Sequence, residues 1–336
     1  MADSLSRIHY IDYMKALAMI LVIMGHVNFA NGEVKAWIYS FHMPAFFFCS
    51  GLVLTDRAGK QSVFRQVITK RFKRLMIPYL LWALIYAKFT IPNLCKIVYG
   101  SYWSIVSSGS LSSLWFLPVM FIALLIYYAL DKLKWFSHNW FKFFLAVVAI
   151  IIAYFMPHVK IGYPWSFNVA LVAFAFILIG NLTIILTKKV SSNLSEHHLT
   201  GKTVLIIVIL LMGFSTIVYP SIQPKPGFVL MANAYYGNMF YFVFVALCGS
   251  LMLLAISMLI DLCHPRNISW LSYIGQNTLC IFAVQKPIIS CFKNLFKYVN
   301  TPLEVSLFIT TIGVLSVSLV LCHLINKYIP VFAGKN

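Results

Sequence analysis

Acidic residues are scarce in this sequence, and their scarcity argues against a soluble protein. Of its 336 residues, 8 are Asp or Glu, and charged residues of all kinds make up 10% of the chain. A soluble chain carries about a quarter charged residues, most of them on its surface. Here 61% of the residues are hydrophobic and the mean hydropathy is +0.86. We therefore expect a polytopic membrane protein.

Metal-ligand spacing and a cleavable signal peptide are also missing from the sequence. The 7 cysteines lie mostly within apolar runs, where we expect them to be small core residues. The first apolar run is not followed by a small-residue cleavage site, so we expect it to stay as a helix. No repeat period is present, and the loops are too short for a soluble domain. The chain is therefore predicted to form one transmembrane domain, residues 1–336, without a metal.

The sequence contains long apolar runs with few charged residues. A helix needs about 20 apolar residues to cross the hydrocarbon core of a bilayer. By that measure the sequence predicts an all-α polytopic protein with about ten transmembrane helices. The predicted spans are 11–30, 37–55, 73–91, 113–130, 141–156, 165–187, 203–220, 237–260, 276–291 and 303–327.

Basic residues between the second and third spans predict the orientation. The segment "DRAGKQSVFRQVITKRFKR", residues 56–74, is rich in Lys and Arg, so the positive-inside rule predicts that it is cytosolic. Both termini are then cytosolic too. The net charge of +18 is interpreted as a topology signal with contact to anionic membrane lipids, not as a sign of nucleic-acid binding.

Two histidines fall at a similar depth near the outer ends of the first two spans. These are His26 in "MGHVNF" and His42 in "FHMPAFFFCSG", and the loop between the spans is short, so we expect the imidazoles to share a cavity. An unpartnered polar group is costly in hydrocarbon, and convergence of several such groups predicts a hydrated interior pocket. Other polar or aromatic residues at this level are Asn28, Trp115, Asn168, Asn233, Tyr235 and Gln285.

Structural roles compete with functional ones for each of these residues. Polar side chains also join membrane helices by hydrogen bonds, which is the favoured interpretation for the asparagines and for Gln285. Trp115 alone is typical of the aromatic belt at a membrane interface. For two histidines at matched depth, a functional role is favoured over packing.

Several motifs together resemble the acyltransferase 3 family, especially its stand-alone sugar O-acetylases related to fucose 4-O-acetylase. They are Lys15 followed by His26, "FHMPAFFFCSG" in the second span, "RFKRLMIPY" before the third, "LWFL" at the fourth, and the late "WLSYIGQNTLCIF". The resemblance covers most of the chain and is densest over residues 7–120.

The resemblance implies transfer of an acyl group, usually acetyl, from cytosolic acyl-CoA to a carbohydrate exposed across a bacterial cytoplasmic membrane. By the family's motifs, Lys15 and His26 form the basic-x10-His pair, and Arg71 and Arg74 form the Arg-x-x-Arg pair. Relatives commonly carry a His where this sequence has Gln285, which weakens a catalytic role there. An amide still binds a hydroxyl.

The chemistry of ester formation suits these residues. A sugar hydroxyl needs a base to take its proton, and no carboxylate falls mid-membrane in the predicted spans, so a histidine is the expected base. His26 either acts as a general base or is itself acylated first, with His42 assisting. Lys15, Arg71 and Arg74 are expected to bind the phosphates of acetyl-CoA, the acyl donor, and Asp12 to position Lys15. The candidate hydrogen-bond donors to the oxyanion are Asn28, Asn168 and Trp115.

Two other functions compete with the enzyme. A proton-coupled transporter or flippase would use intramembrane histidines as a proton relay, although the two halves show no internal symmetry. A non-catalytic protein that binds acyl-CoA or a lipid-linked sugar is the third possibility. The acyltransferase is the favoured prediction, with an envelope polysaccharide or lipid-linked glycan as acceptor.

Overall fold

The protein is predominantly helical in the ranges that its structure, a computed structural model, describes. Those ranges are 8–27, 32–54, 64–87, 89–196, 198–222, 229–264, 267–296 and 302–335, and they contain no β-strand. The α-helices are α1 His9–His26, α2 Gly32–Leu52, α3 Phe64–Tyr86, α4 Ile91–Tyr99, α5 Tyr102–Ser107, α6 Phe116–Leu130, α7 Asn139–Phe155, α8 Phe167–Glu196, α9 His198–Ile222, α10 Met239–Cys263, α11 Ser269–Gln276, α12 Thr278–Phe296 and α13 Leu303–Tyr328. Short 3₁₀ segments lie at Ser112–Trp115, Lys134–Ser137, Pro164–Ser166, Met231–Asn233 and Pro330–Ala333.

Several of these helices are long and apolar enough to cross a membrane, which confirms the all-helical, multi-pass class. Other long helices, α1 and α3 among them, carry charged side chains or histidines that lower their mean hydropathy. The number of ten crossings stays a prediction. Within the described ranges, the segments that qualify by length and composition are Ser112–Leu130, Pro164–Ile184, Gly201–Val218, Met239–Cys263 and Glu304–Tyr328.

The described part of the basic segment before the third predicted span, residues 64–74, is helical and not a loop. Helix α3 begins at Phe64, nine residues before the predicted start at position 73. Val67, Ile68 and Leu75 recur at helical spacing and pack against the apolar core, and residues 64–77 contain no Gly or Pro. The early start extends the basic end of α3 beyond the predicted span.

The ninth predicted span, 276–291, lies almost entirely on α12, and the short helix α11 that precedes it ends at Gln276, so the two helices meet at Asn277. The Asn277 side chain holds this break: Nδ2 donates to the Tyr273 carbonyl at 2.8 Å, and Oδ1 accepts from Asn326 and Lys335 at 2.7 Å each. The "GQN" of the late motif is therefore the junction between α11 and α12, and it ties the end of the chain to α12.

Gly275 allows α11 to pack directly against α1. A Cβ at this position would overlap the carbonyl group of Asp12, so no larger residue fits without separating the two helices. Small residues permit such close backbone approach between membrane helices. The contact fixes the end of α1 that carries Asp12 and Lys15.

The C-terminal segment Pro330–Ala333 folds back onto α3. Trp82 Nε1 donates to the Phe332 carbonyl at 3.0 Å, and the two rings pack edge to face with centroids 5.3 Å apart. Gly334 follows with φ 67°, where its backbone lies against the Arg74 carbonyl. The end of the chain thus forms part of the wall beside Arg74.

Candidate active site

His26 and His42 line one small cavity of about 100 Å³, here called the histidine cavity. The sequence predicts that the two imidazoles share a cavity, and the structure brings them together. Trp115, from the "LWFL" motif, is in the same lining. The other lining residues are Tyr39, Met43, Tyr102, Ser112, Ser113, Val229, Leu230, Met231, Ala232, Phe282 and Lys286.

Each histidine ring is oriented by a backbone carbonyl one helical turn earlier. His26 Nδ1 lies 2.8 Å from the Val22 carbonyl oxygen, and His42 Nδ1 lies 2.7 Å from the Ile38 carbonyl oxygen. Because a carbonyl oxygen only accepts, each Nδ1 carries the proton and donates it. In the neutral rings Nε2 is left with a lone pair, which is the form that takes a proton from a hydroxyl.

Tyr39 lies next to both imidazoles. Its ring centroid is 4.9 Å from that of His42 and 6.3 Å from that of His26. His42 is 4% exposed, whereas His26 is only partly buried. His26 is therefore the more accessible of the two to an incoming group, and His42 lies deeper behind Tyr39.

Lys286 is the residue of this cavity that the sequence prediction misses. Its ammonium donates to the Ser112 hydroxyl, and Ser112 also hydrogen-bonds Tyr102, whose phenol has its pKa raised by burial. All residues that line the cavity are described, and none of them is Asp or Glu. The sequence feature that could have identified Lys286 is its position inside the apolar run "CIFAVQKPII", since a charge there is costly unless it has a function.

A larger cavity of about 420 Å³, here called the basic cavity, contains the other predicted cations. Lys15, Arg71 and Arg74 all line it. Lys335, from the C-terminal segment, adds a fourth cation that the prediction does not include. Asp12 lines the same cavity and accepts from Gln276 Nε2 at 3.4 Å.

Neighbouring side chains fix two of these cations. Arg71 Nη2 donates to the Tyr128 hydroxyl at 3.0 Å, and its guanidinium carbon lies 5.8 Å from the centroid of the same ring. Lys335 is anchored on Asn277. Three or four cations around one concave space suit a ligand that carries several phosphates, because guanidinium forks match phosphate oxygens.

The histidine cavity and the basic cavity meet at two shared residues. Met43 of α2 and Phe282 of α12 line both. Helix α1 connects the two sites along its length, because Lys15 and His26 are eleven residues apart, roughly 16 Å at the rise of a helix. Met43 and Phe282 therefore lie between the cations and the imidazoles, so the two cavities adjoin and a long, thin ligand could extend from one towards the other.

Asn168, Asn233 and Tyr235 lie outside the histidine cavity, in a neighbouring cleft. This aromatic cleft has two adjoining parts of about 270 Å³ and 440 Å³. The predicted depth of these residues placed them beside the imidazoles. The difference comes from the turn at residues 230–235, where Leu230 and Ala232 line both spaces and form a partial partition between them. Further residues of the cleft are Tyr102, Trp103, Tyr154, His158, Lys160, Tyr163, Ser166, Ala232, Ala234 and Tyr236.

Among the remaining predicted residues, Gln285 is not part of either cavity lining. Asn28 lies outside the described residues. Gln285 is fully buried on α12, and neither atom of its amide has a hydrogen-bond partner among the described residues. In the same described part of the chain, no group of three or more His, Cys, Asp or Glu side chains is placed to hold a metal ion.

Comparison with known proteins gives one family. The family model of an acyltransferase domain, the acyltransferase 3 type, matches residues 8–327, nearly the whole chain. A comparison with curated proteins gives no match.

Proposed function

The chain belongs to the acyltransferase 3 family, and from that premise we propose that this membrane acyltransferase moves an acetyl group from acyl-CoA to a hydroxyl of a carbohydrate. The observation that carries the proposal is that the basic cavity adjoins the cavity of the two imidazoles at Met43 and Phe282. A cationic mouth joined to a narrow reaction chamber suits a donor with a phosphorylated head and a thin acyl-bearing arm.

The basic cavity receives the nucleotide end of acetyl-CoA in this proposal. Lys15, Arg71 and Arg74 bind its phosphates, and Tyr128 keeps the Arg71 fork oriented. The pantetheine arm runs between Met43 and Phe282 and presents the thioester carbon to His26. Asp12 offsets part of the positive charge and positions Lys15.

His26 is the proposed base because it lines the histidine cavity, its Nδ1 is held by the Val22 carbonyl so that Nε2 keeps a lone pair, and it is the more accessible imidazole. The acceptor oxygen bonds to the thioester carbon while its proton passes to Nε2, and the carbonyl electrons move onto oxygen. The tetrahedral intermediate then collapses: the carbon–sulfur bond breaks, its electron pair leaves with the CoA sulfur, and that sulfur takes the proton from His26. An acyl-histidine route, in which Nε2 attacks first, uses the same groups.

Lys286 is the proposed partner of the negative oxygen in the intermediate. Its ammonium lies in the same cavity as both imidazoles and is held by the Ser112 hydroxyl. Trp115 lines the same space. Asn168 is on the far side of the partition, so it is assigned to the acceptor side and not to the oxyanion.

We further propose ten crossings with both termini and the basic cavity on the cytosolic side, in a bacterial cytoplasmic membrane. Acetyl-CoA is supplied from the cytosol, and the acceptor is an envelope polysaccharide or a lipid-linked glycan that enters from outside. The abundance of Lys and Arg around residues 56–74 supports this orientation.

The test is release of CoA and transfer of labelled acetyl in inverted membrane vesicles that contain the acceptor. His26→Ala should lower transfer roughly 10²- to 10⁴-fold, the usual contribution of a general base. His138→Ala, which removes an exposed histidine outside both cavities, is the matched control and should keep full activity. Absence of transfer to every carbohydrate tested, in vesicles that hold folded wild-type protein, would contradict the function and favour transport.

A further inference from the structure

The aromatic cleft is a second ligand site beside the histidine cavity. We propose that it binds the acceptor as an oligosaccharide, by holding the sugars that flank the one being acetylated. The inference rests on the proposed function and adds what that function leaves open, namely that the preferred acceptor is an extended glycan and not a free monosaccharide.

The two spaces adjoin one another. Tyr102 and Ala232 line both the histidine cavity and the aromatic cleft. Leu230 lines the histidine cavity and the outer part of the cleft. A chain of sugars that reaches past Tyr102 therefore places one hydroxyl near the imidazoles while the remainder stays in the cleft.

Size argues for the same arrangement. The histidine cavity, at about 100 Å³, is the smaller space, and its two imidazoles and the thioester compete for it. The cleft parts of about 270 Å³ and 440 Å³ are close to the range of pockets that hold a drug-sized ligand. An acceptor of several sugars has room only in the cleft.

Unpartnered polar atoms in the cleft wall suit a ligand with many hydroxyls. The Tyr236 side chain is 8% exposed, and its hydroxyl has no hydrogen-bond partner among the described residues. Asn233 Oδ1 is buried in the same way, without a partner in that part of the chain. A buried donor and a buried acceptor are costly when left unsatisfied, and sugar hydroxyls supply both complements.

Exposed aromatic rings supply the apolar half of sugar recognition. Trp103 is 44% exposed, Tyr235 is 48% exposed and Tyr154 is 54% exposed, and all three line the cleft. The carbon–hydrogen face of a pyranose packs on such rings, while its hydroxyls point to the polar rim that Asn168 and His158 form. A lipid tail would satisfy the rings but none of the polar atoms, so a glycan is the better occupant.

Two residues of the cleft wall have a strained backbone conformation. Ser166 and Ala234 both adopt left-handed φ values, of 50° and 55°, and both line the cleft. Such conformations cost free energy in residues other than glycine and persist where the surrounding structure fixes them. The cleft is thus preorganised on two opposite elements, the 3₁₀ segment before α8 and the turn at residues 230–235.

The test compares acceptors of different length. Glucose, galactose, rhamnose and N-acetylglucosamine are each paired with their own linear trisaccharide, and CoA release and saturation-transfer NMR binding are measured with purified protein. For the series that the wild type accepts, the trisaccharide should have a KM about tenfold lower than the monosaccharide. Trp103→Ala and Tyr235→Ala should abolish that advantage by raising the KM for the trisaccharide to that for the monosaccharide, while the KM for acetyl-CoA, which is bound in the separate basic cavity, stays the same.

Trp140→Ala is the matched control, because Trp140 is an aromatic residue 58% exposed on α7 and is not in the cleft lining. It should leave the trisaccharide advantage intact. Equal KM and equal NMR binding for monosaccharide and trisaccharide in the wild type would overturn the cleft proposal, as would displacement by phospholipid alone. Either result leaves transfer to the monosaccharide standing, so it is distinct from failure of the function itself.

Discussion

Lys286 is a charged side chain inside a membrane-spanning run, and its surroundings indicate a role in the reaction. Its described partner is the Ser112 hydroxyl, and the lining of its cavity includes no carboxylate. An intramembrane cation without a counter-ion is costly, and an oxyanion that forms in the reaction would supply the missing negative charge. In the proposed reaction, Lys286 is therefore a catalytic residue.

Replacement of Lys286 by methionine should therefore slow the chemical step. Lys286→Met keeps the length of the side chain and removes its charge, so kcat should fall about 10²- to 10³-fold, the usual loss for one oxyanion donor. The affinity for acetyl-CoA should not change, because the basic cavity is intact. Initial rates of CoA release and equilibrium binding of acetyl-CoA separate the two quantities.

Lys293→Met is the control for this prediction, since Lys293 is an exposed lysine on the same helix, α12. Lys286→Arg should recover part of the rate because it restores a cation. If Lys286→Met keeps full kcat while His26→Ala loses it, the ammonium has no part in the reaction.

The sequence predicts the candidate site where the helices are regular and misses it where they are not. Depth counted along α1 and α2 correctly brings His26 and His42 together. The same count fails for Asn168 and Tyr235, because their positions depend on a 3₁₀ segment and a turn whose left-handed residues follow no helical period. Lys286 is missed for another reason: lysines in a membrane protein are first assigned to topology.

Among the helices, composition predicts which segments are apolar but not where they end. The start of α3 and the break between α11 and α12 depend on packing and on side-chain hydrogen bonds from distant residues, such as Asn326 and Lys335 to Asn277. Such contacts have no local signal in the sequence. Glycine is the exception, since Gly275 in "IGQN" marks a close approach between backbones.

Gly275→Ala should separate α11 from α1 and weaken donor binding. The added methyl group overlaps the Asp12 carbonyl, and overpacking of this kind costs about 1 to 3 kcal/mol of stability. The displaced end of α1 carries Lys15, so the KM for acetyl-CoA should rise together with a fall in the thermal midpoint. Thermal unfolding in detergent and initial-rate kinetics measure the two effects.

Gly213→Ala on α9 is the control, because a Cβ there makes only an ordinary 3.4 Å contact with Met252 Sδ. It should leave both the thermal midpoint and the KM near wild-type values. An unchanged KM in Gly275→Ala, with the protein folded, would show that the contact between α1 and α11 does not position Lys15.

For the molecule as a whole, the three spaces form a series. The basic cavity meets the histidine cavity at Met43 and Phe282, and the histidine cavity meets the aromatic cleft at Tyr102 and Ala232. In the proposed reaction, donor and acceptor therefore approach the imidazoles from different cavities. Transfer across a membrane follows only if those ends face different compartments, which is a prediction about topology.

Native cysteines test that topology without engineering. Cys95 on α4 and Cys263 at the end of α10 are both exposed, and both are free thiols. In the proposed orientation α3 runs outward, so Cys95 is external, whereas α10 runs inward, so Cys263 is cytosolic. A membrane-impermeant maleimide added to intact cells should label Cys95, and Cys263 should react only after the membrane is permeabilised.

Cys95→Ser and Cys263→Ser variants assign each signal by mass spectrometry, and the buried Cys49 and Cys280 should stay unlabelled in the folded protein. Labelling of Cys263 from outside would show that the orientation is the reverse of the proposed one. The basic cavity would then face away from the cytosolic pool of acetyl-CoA. That result would contradict transfer across the membrane even if the chemistry at His26 proved correct.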